Sequence, residues 1–428
     1  MWLPEGLGEL NGLMTASVSH RRSNRVPVFK SLSAFLRNGR SPDYILIGAV
    51  VGLLVIGILM VYSATFDIAY QEYGNLFYLA SRQYMWIGFG VVLMIALAFV
   101  PYDFWQRIAV PILSVALILL GLVLIVGDNV FGATRSFFGG SVQPGELAKL
   151  AMVVYAAAWI VSKGDQIRNL TYGLFPFAAF VGLAAGLIIG QPDMSAAGLI
   201  VIVCFSMFFL AGADLFQLGI GSAVAGVTLW LVVTQIEYAS KRFGDYVFPW
   251  EDPAGLGEHS QRSLIALGNG GLLGVGLGRG RQKFGYLYTQ HTDSIFGVVG
   301  EELGFVGCIF VLFLFAVVAY RGFKIASESD FFGSVLACGI TCLLSYQALL
   351  NIAVCAGLVP FIGMALPFLS YGGSAISVSL ASVGILLSVS RGNRIGRRSK
   401  FSASMDSGRR DWRARVSRTG RSSSTPRR

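Results

Sequence analysis

Long apolar stretches alternate with short polar ones along most of the chain. The apolar runs fall at about 44–62, 84–100, 108–126, 147–162, 173–190, 197–211, 217–235, 296–319, 333–353 and 374–390. Roughly 20 apolar residues of helix cross the hydrocarbon core of a bilayer. The pattern therefore predicts an all-α polytopic membrane protein with ten transmembrane helices, the edges at 190–197 and 211–217 being the least sharp. An even number of spans puts both ends of the chain on one side. Segments 127–146, 190–196 and 354–373 then share the opposite side with a long loop at about 236–295, between spans seven and eight. A connector of that length is expected to be functional or disordered. This one is rich in glycine, aromatics and scattered charge, and is expected to fold against the membrane surface. No repeat of 20–50 residues is visible.

Composition agrees. Of 428 residues 54% are hydrophobic and only 13% charged, with a mean hydropathy of +0.66. Soluble domains carry about 25% charged residues, so a water-soluble enzyme, a disordered protein and a disulfide-framework module are excluded. The net charge of +10 sits in the tails: residues 391–428 hold 13 Lys and Arg against Asp406 and Asp411, and residues 1–43 hold six basic residues against three acidic ones. This divides the chain into a basic N-terminal tail (1–43), a membrane domain (44–390) and a basic C-terminal tail (391–428) expected to be disordered. Basic tails place both termini in the cytoplasm and attract anionic membrane lipids; a cytoplasmic partner is the other use for them, and nothing points to nucleic acid. The five cysteines, Cys204, Cys308, Cys338, Cys342 and Cys355, lie in or at the end of apolar runs and read as small core residues. Met1 to Pro27 lacks a continuous apolar core, so no cleaved signal peptide is expected.

Five groups of residues could carry chemistry. Arg135 is followed by Gln143-Pro144-Gly145-Glu146-Leu147-Ala148-Lys149. Pro144 suits the first turn of a helix, which puts Glu146 and Lys149 on one face, either as a local ion pair or, with Arg135, as part of a site for an anionic headgroup. Gln191-Pro192-Asp193 is a turn signal and also an outward carboxylate at a helix break. Gly268 to Lys283 is either a flexible glycine-rich loop or a backbone able to approach a ligand closely, with Arg279, Arg281 and Lys283 then facing a phosphate. In His291-Thr292-Asp293, the Asp is either a helix N-cap or a general base beside His291. Glu301 follows two turns later on the same side, and a carboxylate that deep needs a partner. The stretch from Pro360 through Leu366-Pro367-Phe368-Leu369-Ser370-Tyr371-Gly372-Gly373-Ser374 is either an outer turn or a re-entrant Pro/Gly segment before span ten that lines a cavity.

Together with Met60-Val61-Tyr62-Ser63-Ala64, Ala133-Thr134-Arg135 and Gly300-Glu301-Glu302-Leu303-Gly304, these pieces run in order over about 60–390. In that order they resemble the SEDS (shape, elongation, division and sporulation) family, the FtsW/RodA group. Several positions depart from the family pattern. Tyr288-Thr289-Gln290 stands where Pro-Glu-Ala is frequent, and Ser136, Gly145, Arg262 and Ile362 replace the usual Trp, Ser, Gln, and Thr or Lys.

The resemblance implies a ten-span polymerase in the bacterial cytoplasmic (inner) membrane that links lipid II disaccharides into glycan strands on the outer side. Asp293 falls on the family's essential Asp, and Arg135, Glu146 and Lys149 fall near its substrate cavity. Asp293 is then the candidate base. Arg135, Glu146, Lys149, Asp193, Arg279, Lys283, His291, Glu301, Ser370 and Tyr371 are candidates for holding substrate, with Arg135, Lys149 and Lys283 opposite the departing pyrophosphate. Implied partners are lipid II, the nascent glycan strand, a class B penicillin-binding protein and the division or elongation machinery, with division favoured by the tails. No cofactor is identified with certainty, a divalent cation (Mg or Mn) is an option, and no all-protein metal site is visible. A precursor transporter (flippase) and a scaffold are the rival classes.

Overall fold

The computed structural model describes residues 41–130, 133–137, 142–236, 239–240, 243–244, 246, 258–283 and 291–392. The tails expected at 1–43 and 391–428 lie almost wholly outside these residues, as do Tyr288-Thr289-Gln290 and much of the 236–295 loop. The described helices are α1 (Tyr44–Tyr73), α2 (Tyr78–Phe99), α3 (Asp103–Val126), α4 (Pro144–Lys163), α5 (Phe175–Ile189), α6 (Met194–Leu210), α7 (Leu215–Gln235), α8 (Glu258–Gly270), α9 (Ile295–Ser327), α10 (Phe331–Cys355) and α11 (Gly373–Gly392). A π-helical turn, Leu170–Leu174, leads into α5. Nine of these segments are long and apolar enough to cross a membrane, and the shorter Met194–Leu210 lies at the sixth expected span, 197–211. The all-α expectation needs one small amendment: β1 (Asp128–Val130) and β2 (Ala133–Ser136) pair as an antiparallel ribbon ahead of α4.

Helix ends follow local chemistry. Asp43 caps α1 by accepting from the Leu46 backbone N–H, Asp330 caps α10 through Gly333, and Asp214 forms a capping box with Gln217 at α7. Each satisfies donors that a helix start leaves open. Asp43 also pairs with Arg321 of α9, tying those two helices at one end.

α10 lies at the centre and packs against α9, α4 and α6, while α9 also packs on α1 and α8. α11 is the most enclosed span and α7 the least, with nearly all its surface uncovered. Lipid tails are as apolar as leucine, so contacts between spans rest on close packing and polar bonds rather than on the hydrophobic effect. Gly57 of α1 shows this closeness: a Cβ there would sit 2.4 Å from the Phe368 carbonyl oxygen.

Two stretches of irregular backbone enter the bundle. The first, residues 356–372, joins α10 to α11 and buries Leu366, Phe368, Leu369 and Ser370. The second is the glycine-rich stretch after α8. It docks two to three turns along α9: Phe305 N–H donates to the Gly271 carbonyl at 2.9 Å and Val275 N–H to the Glu301 carbonyl at 3.0 Å. There α9 breaks at Gly304, whose φ of 69° favours glycine.

Candidate active site

Irregular backbone at membrane depth must have its polar groups satisfied by protein. In residues 356–372 side chains do this. Gln347 of α10 donates from Nε2 to the Ala365 carbonyl at 2.9 Å, and Asn351, one turn on, donates to the Met364 carbonyl. Ser370 Oγ accepts from Leu366 N–H at 2.7 Å. Gln83 of α2 brackets the same turn, donating to the Ser370 carbonyl and accepting from Gly372 N–H, both at 3.2 Å. Phe368 sits in this frame with φ 66°, a conformation that costs a non-glycine residue of order 1–3 kcal/mol. The surrounding bonds hold it there. The segment is thus re-entrant and buried, as one of the two sequence readings had it.

The same frame holds His291-Thr292-Asp293 by three successive carbonyls. The His291 carbonyl accepts from Tyr371 N–H at 2.7 Å. The Thr292 carbonyl accepts from Ser370 Oγ at 2.6 Å, and that of Asp293 from Asn351 Nδ2 at 2.8 Å. Cys355 Sγ lies 3.6 Å from the Asp293 carbonyl as a further, weaker donor. Ser370 and Tyr371 therefore touch the motif, and their contacts are to its backbone. The His291 and Tyr371 rings meet edge to face at 5.5 Å. Burial pushes the His291 imidazole down to about 4, so it is neutral at pH 7, and among the described residues its Nδ1 has no hydrogen-bond partner. The N-cap of α9 is Ser294, and the half-buried Asp293 stands one residue before it.

A second cluster lies at the start of α4, whose first turn carries Pro144 as expected. Lys149 Nζ donates to Glu146 Oε1 at 2.8 Å and to Gln347 Oε1 at 3.1 Å. Lys149 is 2% exposed, whereas the Glu146 side chain keeps 14% of its surface open. Asp193 caps α6 by accepting from Ala196 N–H at 3.0 Å and from Ser195 Oγ at 2.6 Å. Ser195 also reaches the Gly363 carbonyl at 3.3 Å, which joins this cluster to the re-entrant segment. Asp193 Oδ2 lies 4.0 Å from where a Cβ on Gly145 would be, so it faces the α4 start. Arg135 stands in β2, paired with β1.

The third group departs from its sequence reading. Lys283, expected to face a phosphate, is 1% exposed and bonds Glu302 Oε1 at 2.7 Å and Ser63 Oγ at 2.8 Å. Ser63 in turn donates to Glu302 at 2.6 Å. Glu301, which the sequence showed to need a partner, accepts from the Arg281 N–H at 2.7 Å and the Gln282 N–H at 3.2 Å. The physical reason is the docked loop: a buried charge must find a partner, and here α9 carboxylates and the glycine-rich backbone satisfy one another. Arg279 and Arg281 remain exposed. Among the described residues no three His, Cys, Asp or Glu side chains gather as a metal site.

Gln347, Asn351 and Gln83 are not singled out in the sequence, and Ser63 and Glu302 appear there only inside the family motifs. A signal existed for the amides. Gln347 and Asn351 are polar residues inside an apolar run, four apart and so on one helix face, and polar side chains in a span need a use.

Comparison with known proteins agrees with this architecture. The family model of cell cycle proteins denoted FtsW/RodA/SpoVE matches residues 44–395. The probable peptidoglycan glycosyltransferase FtsW of Trichlorobacter lovleyi is 42% identical over 82% of this chain and 94% of its own length. Stage V sporulation protein E of Bacillus subtilis is 39% identical over 83% and 98%. Among solved structures, a chain from work on the structural coordination of polymerization and crosslinking by a peptidoglycan synthase complex superposes with TM-score 0.69 at 28% identity, covering 82% of this chain and 98% of that one. The rod shape determining protein RodA of Thermus thermophilus gives 0.61 at 27% over the same shares. With the family match spanning every described helix, the chain belongs to the FtsW/RodA/SpoVE family of cell cycle proteins.

Proposed function

We propose that this protein is a peptidoglycan glycosyltransferase that polymerises lipid II into glycan strands. The observation that carries the reading is the shared frame of Asp293 and the Lys149–Glu146 pair. Both attach to one face of α10 and to residues 363–370, at a single end of the spans. A transporter would instead need its polar groups near the midplane. That end faces outward and both termini lie in the cytoplasm, in the cytoplasmic membrane of a bacterium. Names among the relatives favour a role in division. A class B penicillin-binding protein is the proposed partner, supported by the likeness to a chain of a peptidoglycan synthase complex.

In the proposed reaction, Asp293 takes the proton from the attacking sugar hydroxyl as its oxygen bonds the donor C1. The C1–O bond to pyrophosphate breaks, and the polyprenyl pyrophosphate leaves with the electron pair. General-base help is worth about 10²–10⁴-fold. Lys149 offers positive charge to the leaving group, and Arg135, on the ribbon ahead of α4, is the second proposed cation. The neutral His291 beside Asp293 adds no competing charge. One carboxylate and no covalent intermediate imply inversion at the donor carbon. Any Mg or Mn would be held chiefly by the pyrophosphate itself.

The test is polymerisation by purified protein supplied with lipid II, with and without a class B partner, for wild type, Asp293→Ala and Asp293→Asn. Polymer from wild type and at least about 10²-fold less from the folded variants supports the reading. No polymer under any partner condition, together with lipid translocation in vesicles, would replace it with transport.

A further inference from the structure

We infer that Gln347 and Asn351 are positioning residues that fix the base and the cation of the reaction relative to each other. The inference rests on the glycosyltransferase reading. It starts from burial: the two amides are 3% and 1% exposed, in a span where an unused polar group costs several kcal/mol. They lie one turn apart on α10, and one turn further Cys355 faces the same way. Each amide makes two attachments. Gln347 accepts from Lys149 Nζ at 3.1 Å and donates to the Ala365 carbonyl at 2.9 Å. Asn351 donates to the Asp293 carbonyl at 2.8 Å and to that of Met364.

One rigid helical turn, about 6 Å of rise for four residues, thereby reads two successive carbonyls of the re-entrant segment. With the same side chains it holds the residue that takes the proton and the residue that faces the leaving group. Lys149 gains direction as well as place. Among the described residues two of its three donors go to Glu146 and Gln347, and the third is the one assigned to the anion. Neither amide takes part in bond making; each acts through its neighbour. The device is sensitive because a displacement near 1 Å can cost about 10²-fold in rate.

The experiment is a pair of double-mutant cycles in single-turnover polymerisation with lipid II, at enzyme concentrations high enough to measure slow variants. Asn351→Ala is expected to lower the rate about 10–100-fold while KM stays within about threefold. In an Asp293→Asn background the same change is expected to add less than about threefold, because the residue it positions is already gone. Gln347→Met keeps the volume but not the bonds. It is expected to raise KM for lipid II, and to add little in a Lys149→Met background. Asn351→Ser, which retains a donor, recovers part of the rate and replaces the alanine variant if that one does not fold. Losses that multiply in both cycles, or that track the fall in melting temperature, would overturn the inference and leave the amides as packing. An Asp293→Asn protein that still polymerises would sink the base reading by itself and the Asn351 half with it, while the Lys149 cycle would still decide the Gln347 half.

Discussion

Two lysine–glutamate pairs sit inside this bundle at almost the same separation, 2.8 Å for Lys149–Glu146 and 2.7 Å for Lys283–Glu302. The first is made within one helix, three residues apart, and its carboxylate keeps an open side. The second joins a loop to a helix and is closed on all sides, with Ser63 of a third element completing it. A charge sealed in this way can only hold structure together, whereas a charge with one open side can also meet a ligand. The difference between a latch and a site is therefore access past the open Glu146 carboxylate, because Lys149 itself is as buried as Lys283.

Exchanging each lysine for methionine is the strongest way to break this comparison. Lys149→Met is expected to cut polymerisation by about 10²-fold or more, as loss of an electrostatic donor does, with a modest change in melting temperature. Lys283→Met is expected to leave Glu302 buried and uncompensated and to cost about 3–5 kcal/mol of stability, read by denaturation in detergent. Adding Glu302→Gln to Lys283→Met should restore much of that loss, because no lone charge then remains. Equal stability losses for the two lysines would erase the distinction.

The latch also depends on close backbone contact. A Cβ on Gly274 would lie 2.2 Å from the Glu302 carbonyl oxygen, at φ 79°. Gly274→Ala is therefore expected to lose about 1–3 kcal/mol and to make the loop accessible to limited proteolysis.

A further effect, confined to acid pH, concerns His291. His291 is held at about 4 in the folded protein, against about 6.5 when unfolded. Above pH 6.5 it is neutral in both states and contributes no pH dependence. As pH falls from 6.5 towards 4 the unfolded chain binds the proton first, so stability drops, and below 4 the drop levels off. Melting temperatures across that window should fall less steeply in His291→Phe than in wild type. The smallest expected change is Gly145→Ser, which restores the family's usual residue. The nearest atom to its Cβ is Asp193 Oδ2 at 4.0 Å, so stability should stay within about 0.5 kcal/mol.

The spans were legible because a bilayer imposes a length and a polarity that run for twenty residues at a time. Pro144 announced the start of α4, and the Pro/Gly content of 360–374 announced irregular backbone at depth. Periodicity could not say which element that backbone would meet. The glycine-rich stretch reads as a surface loop because nothing local in Gly274 or Lys283 records that α9 breaks at Gly304 and offers Glu301 and Glu302 to receive it. Asp293 was identified by motif, but its support was not, because Gln347 and Asn351 lie more than fifty residues away and look like isolated polar positions in a hydrophobic run. The ribbon of β1 and β2 left only three- and four-residue traces, too short for an alternating pattern to show.

The break at Gly304 divides a 33-residue helix into unequal parts. Phe305–Ser327 alone is about 35 Å long, already enough for the hydrocarbon core. Ile295–Leu303 is thus free of any requirement set by bilayer thickness. When thicker or thinner membranes tilt the long part to relieve hydrophobic mismatch, the short part, with Asp293 at its head, need not tilt with it. The position of Asp293 is therefore expected to hold as membrane thickness changes.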